Sequence, residues 1–398
     1  TSARPSGSAL GTNESARGNL MAYNLTTGAL DSWNPVANGE VDAMTVSPDG
    51  TRLYVGGNFS AIGGTTRYRL AAFNTSTGAL ISSWAPAVDG MVNGIAATND
   101  TVYFTGSFSS VGSTARARIA AVQASNGALV DSFAPTLEGG YGGRAIVVSP
   151  DGSKVVVAGS FLTTNGSSSP GRGMSALNAT TGELMPWAVS SVLHNAGDNA
   201  AMYSLASDGD SVYGTGYDYG GSKTLDDFEG SFRADWSDGT MQWMEDCHGD
   251  TYSVAPLNGV VYTAAHTHYC GNIGEFPQLS PWHYNHSLAF AKQPSGRTIT
   301  ADIYGYRSFT GQPAGQLLHW YPIWTPGTYT GLNQAGWTIT RSGNYLLYGG
   351  EFTKVSKSNQ QGLVRFAVRS VAPNKMGPNV TGGNYQITTL SFQAGAAR

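Results

Sequence analysis

One phrase of eleven residues occurs in four copies along this chain, and it limits the fold more than any other feature. It reads Leu20-Met-Ala-Tyr-Asn-Leu-Thr-Thr-Gly-Ala-Leu30, then Leu70-Ala-Ala-Phe-Asn-Thr-Ser-Thr-Gly-Ala-Leu80. Ile119–Leu129 and Met174–Leu184 are the other copies. Each is a short strand, a turn ended by glycine and a second strand, which predicts a β-hairpin. A second half-motif follows each hairpin. Val41–Val46 leads through Pro48-Asp49-Gly50 to Leu53–Phe59, and the pattern returns at Val92–Ala97 with Val102–Phe108, and at Arg144–Val148 with Val155–Phe161. Met202–Ala206 with Val212–Tyr217 continues it, and the divergent pairs are Tyr252–Pro256 with Val260–His266 and Gly336–Thr340 with Tyr345–Phe352.

Four strands in about fifty residues, repeated, predict an all-β fold: a β-propeller of four-stranded antiparallel blades. A β-helix would need much shorter coils, and a β-sandwich has no reason to repeat its sequence. Six copies of the second half-motif are present, and residue 1 falls in mid-repeat, since Ser2-Ala3 aligns with Ala61-Ile62. Gly362–Ala367 resembles the first strand of a further hairpin. Seven blades are therefore expected, with six as the alternative. The propeller is expected to span residues 1–372, and residues 373–398 to form a linker and a terminal strand, or the opening of a further domain.

Composition narrows the partners. Charged residues are 12% of 398, glycine numbers 53, and hydrophobic residues reach 40%. This is a chain with ample apolar surface to bury, many turns and little surface charge. The net charge is −4 and no basic run occurs, so a nucleic-acid partner is not expected. No apolar stretch approaches the roughly 20 residues of a membrane span. Cys247 and Cys270 lie 23 residues apart among His248, His266 and His268. In an extracellular protein such spacing favours a disulfide, with zinc ligation the rival reading.

The hairpin phrases, the Gly-Gly-x-Phe strand ends and the segments Asp246–Asp250, His266–Gly271 and Leu318–Gly331 together resemble large secreted actinobacterial proteins. In these an N-terminal propeller precedes fibronectin-type, PKD or laminin-G-like modules. The resemblance covers residues 1 to about 372. It implies seven blades, a secreted or cell-surface location and downstream domains of the same precursor. It brings no reaction and no catalytic residue.

Equivalent positions of successive blades supply the candidate site. One set ends the Gly-Gly-x-Phe strands: Asn58, Ser107, Ser160, Tyr217, His266 and Glu351. The other begins the inner strands: Asp42, Asn93, Arg144, Tyr203, Tyr252 and Gly336. These sets are polar and vary between copies, as a binding site built on a repeat would; the alternative is solvated strand ends. Period two places His266 and His268 on one sheet face. With Asp250 or Glu351 they could hold a divalent metal, or with His248 and Tyr252 supply a general base; the alternative is structural histidines beside a disulfide. Trp282, Trp320 and Trp324 belong to an aromatic-rich insertion over 282–337 and are candidate ligand-stacking residues, although such rings also fill inter-blade core. Motifs for a serine nucleophile, a phosphate loop or a dinucleotide are missing. The expected function is non-catalytic binding of a glycan or an extracellular protein. The alternatives are a polysaccharide lyase or glycoside hydrolase, and a structural module of an extracellular assembly.

Overall fold

The repeated turns fold as their chemistry dictates. In the copy at Leu70–Leu80, Asn74 Oδ1 accepts the backbone N–H of Ser76 and of Thr77, both at 3.0 Å. Gly78, at φ +70°, then reverses the chain so that Leu80 bridges back to Phe73. Asn24 and Asn178 repeat this arrangement. Between the inner strands, Ser47 donates to Asp49, whose carboxylate accepts the Thr51 N–H; Ser149, Asp151 and Ser153 do the same one hundred residues on.

The structure, a computed structural model, describes residues 2–219 and 227–372. The linker and strand expected at 373–398 lie outside the described residues. The chain divides into two compact units, residues 1–205 and 206–398. Apart from two short 3₁₀ turns, Ala188–Ser191 and Gly271–Ile273, every regular element among the described residues is a strand.

In the first unit, Val41–Val46 pairs with Arg52–Gly57, which pairs with Leu70–Asn74. The next sheets run Val92–Ala97, Thr101–Gly106, Ile119–Gln123, and then Gly143–Val148, Lys154–Gly159, Met174–Asn178, Leu184–Met185. The three inner strands Val41–Val46, Val92–Ala97 and Gly143–Val148 lie side by side. Consecutive antiparallel sheets whose first strands are neighbours are the blades of a β-propeller. Between blades the core is aromatic: Trp84 is fully buried against Tyr54, 5.1 Å between ring centroids, and its indole donates to Gln123 O at 3.0 Å. Trp33 repeats the bond to Gly78 O at 2.8 Å.

The second unit continues the pattern. Ser211–Asp218 pairs with Ser231–Asp235, then Met241–Glu245; the strand before them, Ala200–Ser207, straddles the division of the chain. Thr251–Leu257, Val260–Thr267 and Asn285–Ala291 follow, and then Ala335–Ser342, Tyr345–Val355 and Leu363–Ala367. Leu363–Ala367 is thus the third strand of its blade, equivalent to Leu70–Asn74. Six sheets carry an inner pair among the described residues. Residues 2–31 contain only the outer elements of the repeat, the small hairpin Ser2–Ala3 with Ser15–Ala16 and the Tyr23–Leu30 bridge.

Five inner strands share one irregularity: the register slips across Asp42, Asn93, Arg144, Tyr252 and Trp337, each the extra residue of a β-bulge. The bulge explains a repeated glycine. A Cβ on Gly106 would stand 2.0 Å from Met91 O, and one on Gly350 would stand 2.1 Å from Ala335 O, so the strand facing the bulge needs glycine there. The sixth member of the inner-strand set is therefore Trp337 and not Gly336, which is buried one residue earlier.

Candidate functional site

The bulges aim one side chain per blade toward the same end of the inner strands. In the second unit, Thr251–Leu257 and Ala335–Ser342 are neighbours, so their bulged residues meet. Tyr252 and Trp337 lie 4.6 Å apart between ring centroids, tilted by 47°. Trp337 is half-buried and Tyr252 buried.

Tyr252 organises the polar groups around it. Its hydroxyl donates to Asp250 Oδ2 at 3.0 Å and lies 3.0 Å from His266 Nδ1. A phenol has one proton, so with that proton toward Asp250 its oxygen accepts the Nδ1–H of His266. Burial pushes His266 down to about 4, so the ring is neutral at pH 7. Glu229, whose Oε2 accepts the Gly249 N–H at 2.9 Å, comes close to Asp250, and both carboxyl groups are raised above the ordinary range. Burial is the main cause for each, and for Glu229 the charge of Asp250 adds to it. Buried carboxyl groups of like charge favour the protonated form.

Behind this pair lies a second acidic layer. The Cys247–Cys270 disulfide ties the segment after Met241–Glu245 to the end of Val260–Thr267. Between them His248 takes φ +35°, uncommon for a residue with a Cβ, and is fully buried. Its ring packs 4.1 Å from Tyr306 and 4.8 Å from Tyr269. His248 Nε2 stands 3.2 Å from Asp302 Oδ2 and 3.7 Å from Asp246 Oδ2. Burial outweighs the Asp302 charge and holds His248 down at about 4. Asp302 Oδ1 meanwhile accepts the backbone N–H groups of Tyr304, Gly305 and Tyr306. Asp246 Oδ1 accepts the Glu229 N–H at 3.0 Å, and burial raises Asp246 well above the ordinary range.

His268 is nearly covered by Trp282, whose ring stacks on it 4.0 Å away at 16°, and Trp282 remains 47% exposed. His266 and His268 flank Tyr284, 5.7 and 6.0 Å away. Among the described residues, no three His, Cys, Asp or Glu side chains are arranged to hold a metal ion. The two imidazoles expected as a metal pair instead pack against rings, His266 against Tyr252 and His268 against Trp282.

The structure thus gathers His248, Asp250, Tyr252, His266, His268 and Trp282 into one region. Glu351 is engaged with a loop instead: both its oxygens take the Thr330 N–H, at 3.0 and 3.1 Å. Trp320 and Trp324, expected to stack on a ligand, belong to the core. Trp324 is 7% exposed among Tyr348, Phe352 and Phe366, and Trp320 packs on Tyr262 and Phe366. Tyr217 is half-buried at the end of Ser211–Asp218. In the first unit, Asn93 Nδ2 donates to Gly143 O and Arg144 lies over Tyr203, 4.9 Å from its centroid, so these polar groups join one blade to the next. Asp42 and Asn58 are exposed. Glu229, Asp246, Asp302 and Tyr306 are site residues that the repeat did not reveal, because none occupies a repeated position. The density of acids at Asp226, Asp227, Glu229, Asp246 and Asp250 was the one signal in the sequence for Glu229 and Asp246, and Asp302 and Tyr306 had none.

No known protein family and no curated protein sequence matches the chain. Among solved structures it is similar to hydrazine synthase of Kuenenia stuttgartiensis, at 13% identity over 83% of this chain and 77% of that one, with a TM-score of 0.47. The mitotic checkpoint complex gives 13% identity, 83% of each chain and a TM-score of 0.48. The WD40 repeats of RRP9 give 10% identity, 89% of each chain and 0.48. At such identities and TM-scores no function passes from these proteins to this chain, and its propeller assignment stands on its own sheets.

Proposed function

We propose that the protein is a non-catalytic binding module whose second unit takes a glycan on the face made by Tyr252, Trp337, Tyr284 and Trp282. The observation that carries this reading is the Tyr252–Trp337 contact beside half-buried Asp250, Glu229 and His266. Sugars present C–H faces that stack on aromatic rings and hydroxyls that bond carboxylates and imidazoles, and this face offers both.

The same geometry supports binding over turnover. A lyase acting on a uronate must offset the substrate's carboxylate, and the groups facing this site are themselves acidic. A protein partner is the second reading, favoured by exposed apolar residues of the insertion, Ile303, Ile323, Tyr329 and Leu332, and by Leu279 just before it. The Cys247–Cys270 disulfide supports a secreted or cell-surface location.

A glycan array probed with the purified protein tests the reading. Retention of a defined glycan class, lost on Trp337→Ala, is the expected result. An array with no retained glycan, from protein that remains folded, would overturn it.

A further inference from the structure

Four carboxyl groups, Glu229, Asp246, Asp250 and Asp302, lie within one region of the second unit. Among the described residues, no lysine or arginine pairs with any of them. Groups of one sign buried together are unfavourable unless they are neutralised by protons or by a cation. The imidazoles around them are neutral and offer no compensating charge.

A second observation is independent of the acids. His248 is fully buried, yet neither ring nitrogen has a hydrogen bond, and its Nε2 points between Asp302 Oδ2 and Asp246 Oδ2. Asp302 Oδ2 and Asp250 Oδ1 are likewise enclosed and without a hydrogen bond. Buried polar groups left unbonded are rare and mark a place where a partner is missing.

The chemistry of the walls selects the cation. One oxygen each of Glu229, Asp246 and Asp302 is already occupied by backbone N–H groups, so few remain for a hard metal ion that needs six or more. The rest of the wall is aromatic: Tyr252 and Trp337 at the rim, Tyr269 and Tyr306 around His248. Carboxylates with aromatic faces are the surroundings of an organic ammonium group.

We propose that the glycan bound at this face carries free amino groups, an amino sugar whose ammonium is received by Glu229 and Asp250 against Tyr252 and Trp337. This rests on the glycan-binding reading and narrows it. Burial favours the protonated form of both carboxyl groups, so an ammonium received there releases a proton to solvent. Among the described residues, Asp227, Asp246, Tyr252 and Tyr306 bear on that pair, and the Arg307 backbone N–H bonds Asp227 at 2.9 Å.

Isothermal titration of the full chain with glucosamine oligosaccharide and with its N-acetylated counterpart tests this. The expected result is binding of the free amine at least about tenfold tighter, with an enthalpy that depends on the buffer's ionisation heat. Glu229→Gln and Asp250→Asn should each remove that preference, and the wild-type comparison of the two sugars stands even if a variant fails to fold. Equal binding of both sugars would overturn the amine and leave the glycan reading intact. Binding of neither, with folded protein, would overturn both.

Discussion

Tyr252 and Trp337 occupy the same bulged position of neighbouring inner strands, and their rings meet 4.6 Å apart. The repeat thereby places two aromatics together by backbone geometry alone. The residue at that position diverges from Asp42 and Asn93 in the first unit to Tyr252 and Trp337 in the second, so the second unit carries an aromatic pair where the first carries short polar side chains.

The Tyr252 hydroxyl is the shared partner of Asp250 and His266. Tyr252→Phe keeps the ring and strips both neighbours of a hydrogen bond. A loss of about 1–3 kcal/mol is expected from leaving buried polar groups unsatisfied. Denaturant unfolding of the variant measures it, and an unchanged midpoint would contradict the hydrogen-bonded chain.

Glu245 gives the fold a pH dependence of definite sign. It is wholly buried, and burial raises it from an ordinary 4.5 to about 7, although Ser231 and the Cys247 N–H bond to it. The folded state therefore holds a proton that the unfolded chain releases, and stability from this group falls as pH rises from 4.5 through about 7. Glu245→Gln should be the more stable protein at alkaline pH, by about 2–3 kcal/mol, and should lose that advantage in acid. Melting temperatures across pH check this, and parallel curves would refute it.

The repeat was legible because its determinants are local. Asn74 with Gly78, and Ser47 with Asp49, close their turns within five residues, so the hairpins and the inner strand pairs were legible in the sequence. The bulge was harder: it is a mismatch with the facing strand, so alignment by letters chose Gly336 where the structure offers Trp337. Trp320 and Trp324 were misassigned for a different reason, since a ring that fills a core and one that stacks on a ligand are the same residue in a sequence. Asp302 reaches His248 across more than fifty residues, and only tertiary structure brings them to 3.2 Å.

Trp84 sets the cohesion of the first unit. It is buried between two blades and hydrogen-bonded to Gln123 O. Trp84→Ala should cost about 3–5 kcal/mol, as other large core truncations do. A variant within about 1 kcal/mol of wild type in chemical denaturation would show the blades are held otherwise.

The Cys247–Cys270 disulfide closes the segment that carries His248 and Asp250. Its removal by paired Cys→Ser substitution should destabilise the protein by about 2–4 kcal/mol. Ligand binding should weaken under conditions where the strands still give a native circular dichroism spectrum. Undiminished binding would place the ligand away from this segment.

The most direct measurement is a tryptophan-fluorescence titration of wild type and Trp337→Ala with the glycan retained on an array. Saturable quenching in the wild type, and an affinity lowered at least about tenfold in a variant of native stability, is the predicted result. Equal affinity in the two proteins would contradict a binding face built on Tyr252 and Trp337.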